Sequence, residues 1–106
     1  MYKRQAFNYI ELHYDEVLVA PKLAMLCNMS SSYFSRSFNA QIGMSLNEYI
    51  NYIRITEAEK LLISTAMNIT EIANAVGFNT TSYFIKLFKA YKNISPKQFR
   101  KEVIMA

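Results

Sequence analysis

Two basic residues, Arg36 and Lys86, stand 50 positions apart, and small polar side chains surround each of them. A guanidinium or ammonium group flanked by hydroxyls and amides can donate hydrogen bonds to phosphate oxygens and to base edges. The candidate contact residues form two sets, Ser31, Ser32, Ser35, Arg36 and Asn39, and then Thr80, Thr81, Ser82, Ile85, Lys86 and Lys89. Further candidates for contacts to phosphate are Lys22, Lys92 and Lys97.

Side chains that could carry out catalysis are not grouped in this sequence. It contains no acid pair, metal-ligand cluster, nucleophile–histidine set or glycine-rich phosphate loop. The single histidine, His13, has no partner set, and the single cysteine, Cys27, falls in an apolar stripe. We therefore expect no catalytic residues, no bound metal, no cofactor and no enzymatic activity.

The composition indicates a small helical domain. The chain has 106 residues, of which 52% are hydrophobic, with only two glycines and two prolines. No apolar run approaches the about 18 residues of a membrane span, and the polar start does not resemble a signal peptide. We therefore expect a cytoplasmic chain that does not contact a membrane.

Apolar residues recur at intervals of three and four, which predicts an all-α fold of about seven helices. Ser30 is positioned to cap one helix that ends near Gly43, while Ser45 and Glu48 form a capping box that opens the longest helix. Asn68, Thr80 and Ser95 mark further starts, with Gln98 as a reciprocal cap for Ser95. Three predicted helices cover about residues 3–14, 30–41 and 46–64. Four further helices are predicted to begin at residue 20, at 68, at 79 or 80, and at 95.

An internal repeat organises these helices. The sequence Ser-Tyr-Phe at 32–34 recurs at 82–84, and upstream Leu23-Ala24 matches Ile72-Ala73. Each copy has a short helix, a tight turn and a longer helix, which is the layout of a helix-turn-helix whose second helix enters the DNA major groove. A duplicated helical hairpin that only packs would produce the same pattern. The predicted division is a first subdomain at 1–45, a connecting helix at 46–64 and a second subdomain at 65–106.

The charges are segregated in a way that favours an anionic partner. The formal net charge of +4 divides into +2 over residues 17–47, +6 over residues 72–101 and −4 elsewhere, and neither positive window contains an acid. Both repeats thus lack the residues that a phosphate backbone would repel.

The length of the connecting helix also fits a duplex. A helix of 18–20 residues spans about 27–30 Å, and successive major grooves on one face of DNA are about 34 Å apart. One chain could thus place two recognition helices in adjacent grooves without dimerising.

Six aromatic residues in the repeats could serve as base-stacking platforms. Their helical spacing instead favours packing in the core, with the two tyrosines allowed partial exposure. They are Tyr33, Phe34, Phe38, Tyr83, Phe84 and Phe88.

The combined pattern resembles that of the AraC/XylS-type transcription regulators over about residues 5–101. The matching segments are Ile72-Ala73-x-x-Val76-Gly77-Phe78-x-x-x-Ser82-Tyr83-Phe84-x-Lys86-x-Phe88-Lys89, Ser95-Pro96-x-x-Phe99-Arg100, Met29-Ser30-x-Ser32-Tyr33-Phe34-x-Arg36-x-Phe38 and Arg54-Ile55-x-x-Ala58-x-x-Leu61-Leu62. The start of the chain, Phe7-x-Tyr9-Ile10-Glu11, is most similar to that of the corresponding domain in YesN-type response regulators.

The resemblance implies two helix-turn-helix subdomains of homeodomain-like fold that bind double-stranded DNA in a sequence-specific manner. It implies the output domain of a bacterial regulator, monomeric in isolation, with dimerisation through an upstream domain. The chain departs from the family pattern at Asn93, where glycine is usual, at Ile85, where a polar residue is frequent, and at Asn39, which replaces a frequent lysine. The alternative is a helical protein-interaction module that docks on RNA polymerase or a partner regulator.

Overall fold

A computed structural model describes residues 2–105 of the chain, and side chains within 4–104. These residues form seven α-helices and no strand, which confirms the all-α prediction. The helices are α1 (Tyr2–His13), α2 (Ala20–Leu26), α3 (Ser31–Ile42), α4 (Leu46–Ser64), α5 (Ile69–Ala75), α6 (Thr81–Lys92) and α7 (Pro96–Met105).

The chain divides into two compact units, Met1–Ile53 and Arg54–Ala106. The division falls inside α4, so this helix contributes residues to the cores of both units. The first unit contains the α2–α3 pair and the second contains the α5–α6 pair.

The core of the first unit is formed by the inner faces of α1, α2, α3 and the start of α4. Phe38 lies at its centre, with its ring centroid 5.8 Å from that of Phe7 and 5.5 Å from that of Tyr49. Cys27 is buried in this core, as expected of a residue that acts as a small hydrophobe. Burial raises the pKa of its thiol. The buried residues are Ala6, Ile10, Leu18, Leu23, Ala24, Cys27, Phe34, Phe38, Leu46 and Ile50.

The core of the second unit repeats this arrangement. Phe84 and Phe88 are fully buried, and the Phe88 ring packs edge-on against Phe99 with centroids 5.4 Å apart. The rest of α4 supplies Ile55, Ala58 and Leu62, and the α5 region supplies Ile72, Ala73, Val76 and Phe78.

The predicted helix caps are present. Ser45 Oγ accepts from Glu48 N at 3.1 Å while Glu48 Oε1 accepts from Ser45 N at 2.9 Å, and Asn68 and Glu71 form a second capping box. Ser95 Oγ accepts from Gln98 N at 3.1 Å. The reciprocal role expected of the Gln98 side chain was wrong, because its amide donates to Glu102 Oε2 at 3.0 Å on the next turn.

The turns within the two helix pairs share one geometry. In the first, Met29 N donates to Ala24 O and Asn28 N donates to Met25 O; in the second, Phe78 N donates to Ala73 O. This is the Schellman arrangement, which needs a residue of positive φ after the helix. Asn28 supplies it in the first unit, with φ of 56°, as its sequence context predicted.

Candidate nucleic-acid interface

Helix α3 presents one buried and one exposed face. Phe34 and Phe38 are 2% and 6% exposed and hold the helix against the core, while Ser30 Oγ caps its start by accepting from Tyr33 N at 3.2 Å. Residues three or four apart share a helix face. Of the predicted contact residues, Ser31 is half-buried, and the exposed ones are Ser32, Ser35, Arg36 and Asn39.

Helix α6 is oriented in its own unit by the matching pair, Phe84 and Phe88. Two of its candidate hydroxyls already act within the fold: Thr80 Oγ1 accepts from Tyr83 N at 3.1 Å, and Thr81 Oγ1 donates to Thr70 Oγ1 on α5 at 3.3 Å. Ile85 is half-buried, whereas Ser82, Lys86 and Lys89 are exposed.

The three outlying lysines differ in their surroundings. Lys97 is exposed. Lys22 is exposed and its ammonium lies 5.4 Å from the centre of the Tyr9 ring; a hydrogen bond with Tyr9 raises the pKa of Lys22, so it stays charged. Lys92 Nζ lies 2.5 Å from Glu59 Oε1 on α4. Part of the positive charge assigned to Lys92 is therefore neutralised within the second unit.

Arg100 has a structural role that its sequence context does not predict. Its guanidinium donates to the carbonyl oxygens of Leu62 at 3.0 Å, Thr65 at 3.1 Å and Met67 at 2.7 Å. These carbonyls end α4 and form the connection to α5, where they have no helical partners of their own. One of the six positive charges in residues 72–101 is thus used to stabilise the fold. No local sequence pattern could have identified these partners, because they are more than 30 residues from Arg100.

The two motif tyrosines lie partly on the surface, which the prediction allowed for these two residues. Tyr33 is 54% exposed and Tyr83 is 47% exposed. The Tyr83 ring packs edge-on against Phe78, with centroids 5.9 Å apart, so one side of the ring is anchored. The other four aromatic residues of the repeats are buried as predicted.

The exposed faces of α3 and α6 carry neutral and basic side chains only. Such faces can donate hydrogen bonds to anionic oxygens and to base edges without repelling them. Within the described residues, no helix has both the length and the apolar character needed to cross a bilayer.

Comparison with known families identifies the domain type. A family model described as a helix-turn-helix domain matches residues 23–102. The HTH-type transcriptional regulator YisR of Bacillus subtilis (strain 168) is 36% identical over 99 residues, which are 93% of this chain and 34% of that protein. The chain therefore spans about a third of that relative.

Solved structures agree with this match. The C-terminal domain of the two-component response regulator yesN from Fusobacterium nucleatum subsp. nucleatum ATCC 25586 has a TM-score of 0.85 at 35% identity, covering 92% of this chain and 96% of that one. The DNA-binding domain of AdpA, a global transcriptional factor solved in complex with a target DNA, has the same fold, with a TM-score of 0.88 at 22% identity over 93% of this chain and 89% of that one.

These matches confirm the likeness to YesN-type regulators. They also confirm the non-enzymatic prediction, since the matched proteins are transcription regulators. The chain belongs to the helix-turn-helix DNA-binding domains of AraC/XylS-type transcription regulators.

Proposed function

We propose that this chain binds double-stranded DNA in a sequence-specific manner, as the cytoplasmic output domain of a bacterial AraC-type regulator, with α3 and α6 entering successive major grooves. One observation carries the proposal. Both helices bury a phenylalanine pair and expose, on the opposite face, polar and basic side chains without an acid. Dimerisation of the full-length regulator through an upstream domain is part of the proposal, and the matched regulator, of which the chain spans 34%, is long enough to contain one.

Helix α3 is proposed to supply most of the base recognition in the first unit. Arg36 is exposed in the middle of the face, and an arginine can bind guanine O6 and N7 through two hydrogen bonds. Ser32, Ser35 and Asn39 are short enough to let the helix approach the bases closely. Ser31 is half-buried and is assigned to the edge of this contact.

Helix α6 is proposed to combine apolar base contact with anchoring to phosphate. Ile85 is half-buried at the equivalent of Ser35 and can contact a thymine methyl group. Lys86 and Lys89 are exposed and suited to phosphate oxygens or guanine. Lys22 and Lys97 would add backbone contacts, and Lys92 would contribute less because Glu59 already pairs with it.

The continuity of α4 supports binding to two grooves by one chain. The helix runs without interruption over 19 residues, a length of about 28 Å. This length is comparable with the about 34 Å between successive major grooves on one face of DNA.

The experiment that tests the proposal is selection of bound duplexes from a random pool at fixed salt, followed by affinity measurements over a salt series. We expect two recognition sequences about one helical turn apart and a steep loss of affinity as salt rises. Arg36→Ala should remove discrimination at one base position, worth about 1–3 kcal/mol. Arg36→Lys serves as the control that keeps the charge.

A failure to enrich any sequence, together with unchanged affinity in Arg36→Ala and Lys86→Ala, would contradict the assignment of these helices to the groove. Salt-insensitive binding to a protein, with no duplex binding, would instead favour the alternative of a protein-interaction module.

That alternative has an observation of its own. Gln5, Asn8, Tyr9, Leu12 and Leu26 line a groove of about 280 Å³ in the first unit, and Leu12 and Met25 are each 75% exposed. The second repeat has Asn74 and Ala75 at the places of Met25 and Leu26, so the helix pair does not need apolar residues there. RNA polymerase and a partner regulator are the candidate ligands for this surface, and a pull-down with purified polymerase tests the first.

A further inference from the structure

The two recognition helices can be compared position by position, because α3 and α6 have the same length, the same pair of buried phenylalanines and equivalent cap positions. Some positions are identical in both helices for an evident structural reason. Phe34 and Phe38 match Phe84 and Phe88, and all four are buried. The exposed positions that are nevertheless identical are Ser32 with Ser82, Tyr33 with Tyr83, and Ala40 with Ala90.

The positions in the middle of the exposed face differ between the two helices. Ser35 is replaced by Ile85, Arg36 by Lys86 and Asn39 by Lys89. Residues that read bases are expected to differ when two helices meet different sequences. Residues that contact the sugar-phosphate backbone meet the same chemistry in both grooves, because the backbone does not vary with sequence.

Helical geometry places the identical tyrosines beside the base-reading face. Each residue advances about 100° around the axis, so Tyr33 lies on the flank of the face formed by Ser32, Arg36 and Asn39. Ala40, seven residues later, lies on the same flank two turns further along. Both Ala40 and Ala90 are exposed, and their small side chains leave room next to the tyrosine.

The tyrosine rings are partly exposed, whereas the phenylalanines next to them in sequence are buried in the core. Tyr33 is 54% exposed and Tyr83 47%. The backbone of each tyrosine is fixed by its helix cap, Ser30 or Thr80. Phe78 also supports the Tyr83 ring. A tyrosine held in this way keeps its phenolic hydroxyl at a defined distance from the helix axis.

We propose that Tyr33 and Tyr83 are backbone-anchoring residues, each donating its phenolic hydroxyl to a phosphate oxygen at the wall of the major groove. Ala40 and Ala90 let that strand of the backbone approach the flank of the helix. The inference rests on the proposed function, since it assigns two further contact residues to the same DNA interface. Tyrosine is one of the side chains that commonly donate to phosphate oxygens.

The test uses Tyr33→Phe and Tyr83→Phe, which remove only the hydroxyl oxygen. A matched control is Tyr52→Phe on α4, whose tyrosine is 51% exposed but lies outside both recognition helices. Affinity is measured by fluorescence anisotropy for the selected duplex and for an unrelated duplex. Each variant is expected to lose about tenfold in affinity, the effect of one hydrogen bond to a charged group.

The loss should be the same for both duplexes, and the salt slope should stay unchanged because tyrosine carries no charge. Tyr52→Phe should bind as the parent does. Thermal unfolding of all variants should coincide within a few degrees, which separates a lost contact from a lost fold.

A second measurement identifies the phosphate. Duplexes with a single uncharged methylphosphonate are scanned along each site, and the parent domain should lose affinity at a phosphate beside each recognition helix. In Tyr33→Phe and Tyr83→Phe, the substitution at the corresponding phosphate should have no further effect. A purely structural role of the tyrosines would leave the two effects additive.

Parent-like affinity in both variants, or additivity at every phosphate, would overturn the assignment of the tyrosines while the proposed DNA binding stands. Absence of duplex binding by the parent domain would overturn the proposed function itself, and this inference with it.

Discussion

The two units use asparagine and glycine in opposite places. In the turn between the helices, the first unit has Asn28 with φ of +56° and the second has Gly77 with φ of +104°. After α3 and α6 the order is reversed, with Gly43 at +82° and Asn93 at +67°. The fold therefore requires a left-handed backbone at both places, and asparagine and glycine are the two residues that adopt it at least cost.

The exposed faces of α3 and α6, unlike the turns, differ in chemistry between the two units. The first unit offers Arg36, the proposed base-reading side chain, among serines and an asparagine, and the second offers Ile85 with Lys86 and Lys89. Hydrogen bonds and buried phenylalanines keep the scaffold the same, so these faces were able to diverge without altering it. In the proposed function, this difference makes the first unit the main reader of sequence and the second the larger source of sequence-independent attachment.

The largest effect is expected from separating the two units. Ile53→Pro removes a hydrogen bond inside α4 and clashes with the preceding turn. Affinity for a duplex carrying both sequences should fall about 100-fold or more, because a broken α4 no longer fixes the spacing of the two units and so lowers the effective concentration of the second unit at its site. Affinity for a duplex carrying one sequence should change little.

Ile53→Ala is the control for this change, since it removes the same side chain and keeps the helix. Equal affinities of the proline and alanine variants for the two-sequence duplex would show that α4 does not couple the units.

The next effect concerns stability and should be confined to the second unit. Arg100→Met leaves three carbonyls of the α4–α5 connection without their donor. A cost of about 2–3 kcal/mol is expected from the loss of these charge-assisted hydrogen bonds. Amide hydrogen exchange should show reduced protection in α5 and α6 and unchanged protection in α2 and α3.

Lys101→Met, which removes the neighbouring exposed charge, should leave both exchange patterns intact. Equal loss of protection in both units would contradict a role of Arg100 within the second unit alone.

A smaller, electrostatic effect should follow from exchanging one pair of equivalent residues. Asn39→Lys should strengthen binding to all duplexes by a few fold and increase the salt slope by about 1, and Lys89→Asn should do the reverse. Affinities for selected and unrelated duplexes, each over a salt series, provide the measurement. The double exchange should restore the parent slope, and a change in base preference instead of slope would mean that these positions read sequence.

The smallest effect is expected at the ends of the recognition helices. Gly43→Asn should destabilise the domain and Asn93→Gly should stabilise it, each by less than about 1 kcal/mol. A Cβ at Gly43 would meet nothing within 4 Å, so the cost there comes from the backbone alone. Thermal unfolding tests both, and Gly43→Ala should cost more than Gly43→Asn because alanine is less tolerant of positive φ.

Much of the fold could be predicted because its signals are local. The cap residues Ser30, Ser45 and Asn68 act on backbone groups three residues away, and the phenylalanines recur at intervals of four. Positions Leu46–Ser64 of the long helix agree with the prediction for the same reason. The exposed polar and basic side chains of both recognition helices also follow from helical spacing.

Other features depend on contacts between distant parts of the sequence. The Arg100 guanidinium reaches carbonyls 33–38 residues away, and Lys92 is paired with Glu59 on another helix. Such partners are set by tertiary packing, and no spacing rule identifies them. Helical spacing allowed Tyr33 to be partly exposed, but it does not show where the core ends, so the exposed fraction of 54% could not be predicted.

Arg100 also implies an order of events while the chain is being synthesised. The first unit has all of its buried residues once Ile50 has emerged from the ribosome, and domains generally begin to fold in that order. The second unit lacks the hydrogen bonds from Arg100 to three carbonyls until this residue, 50 positions after Ile50, has also emerged. Newly made protein would therefore pass through a stage in which the first unit is folded and the second is not.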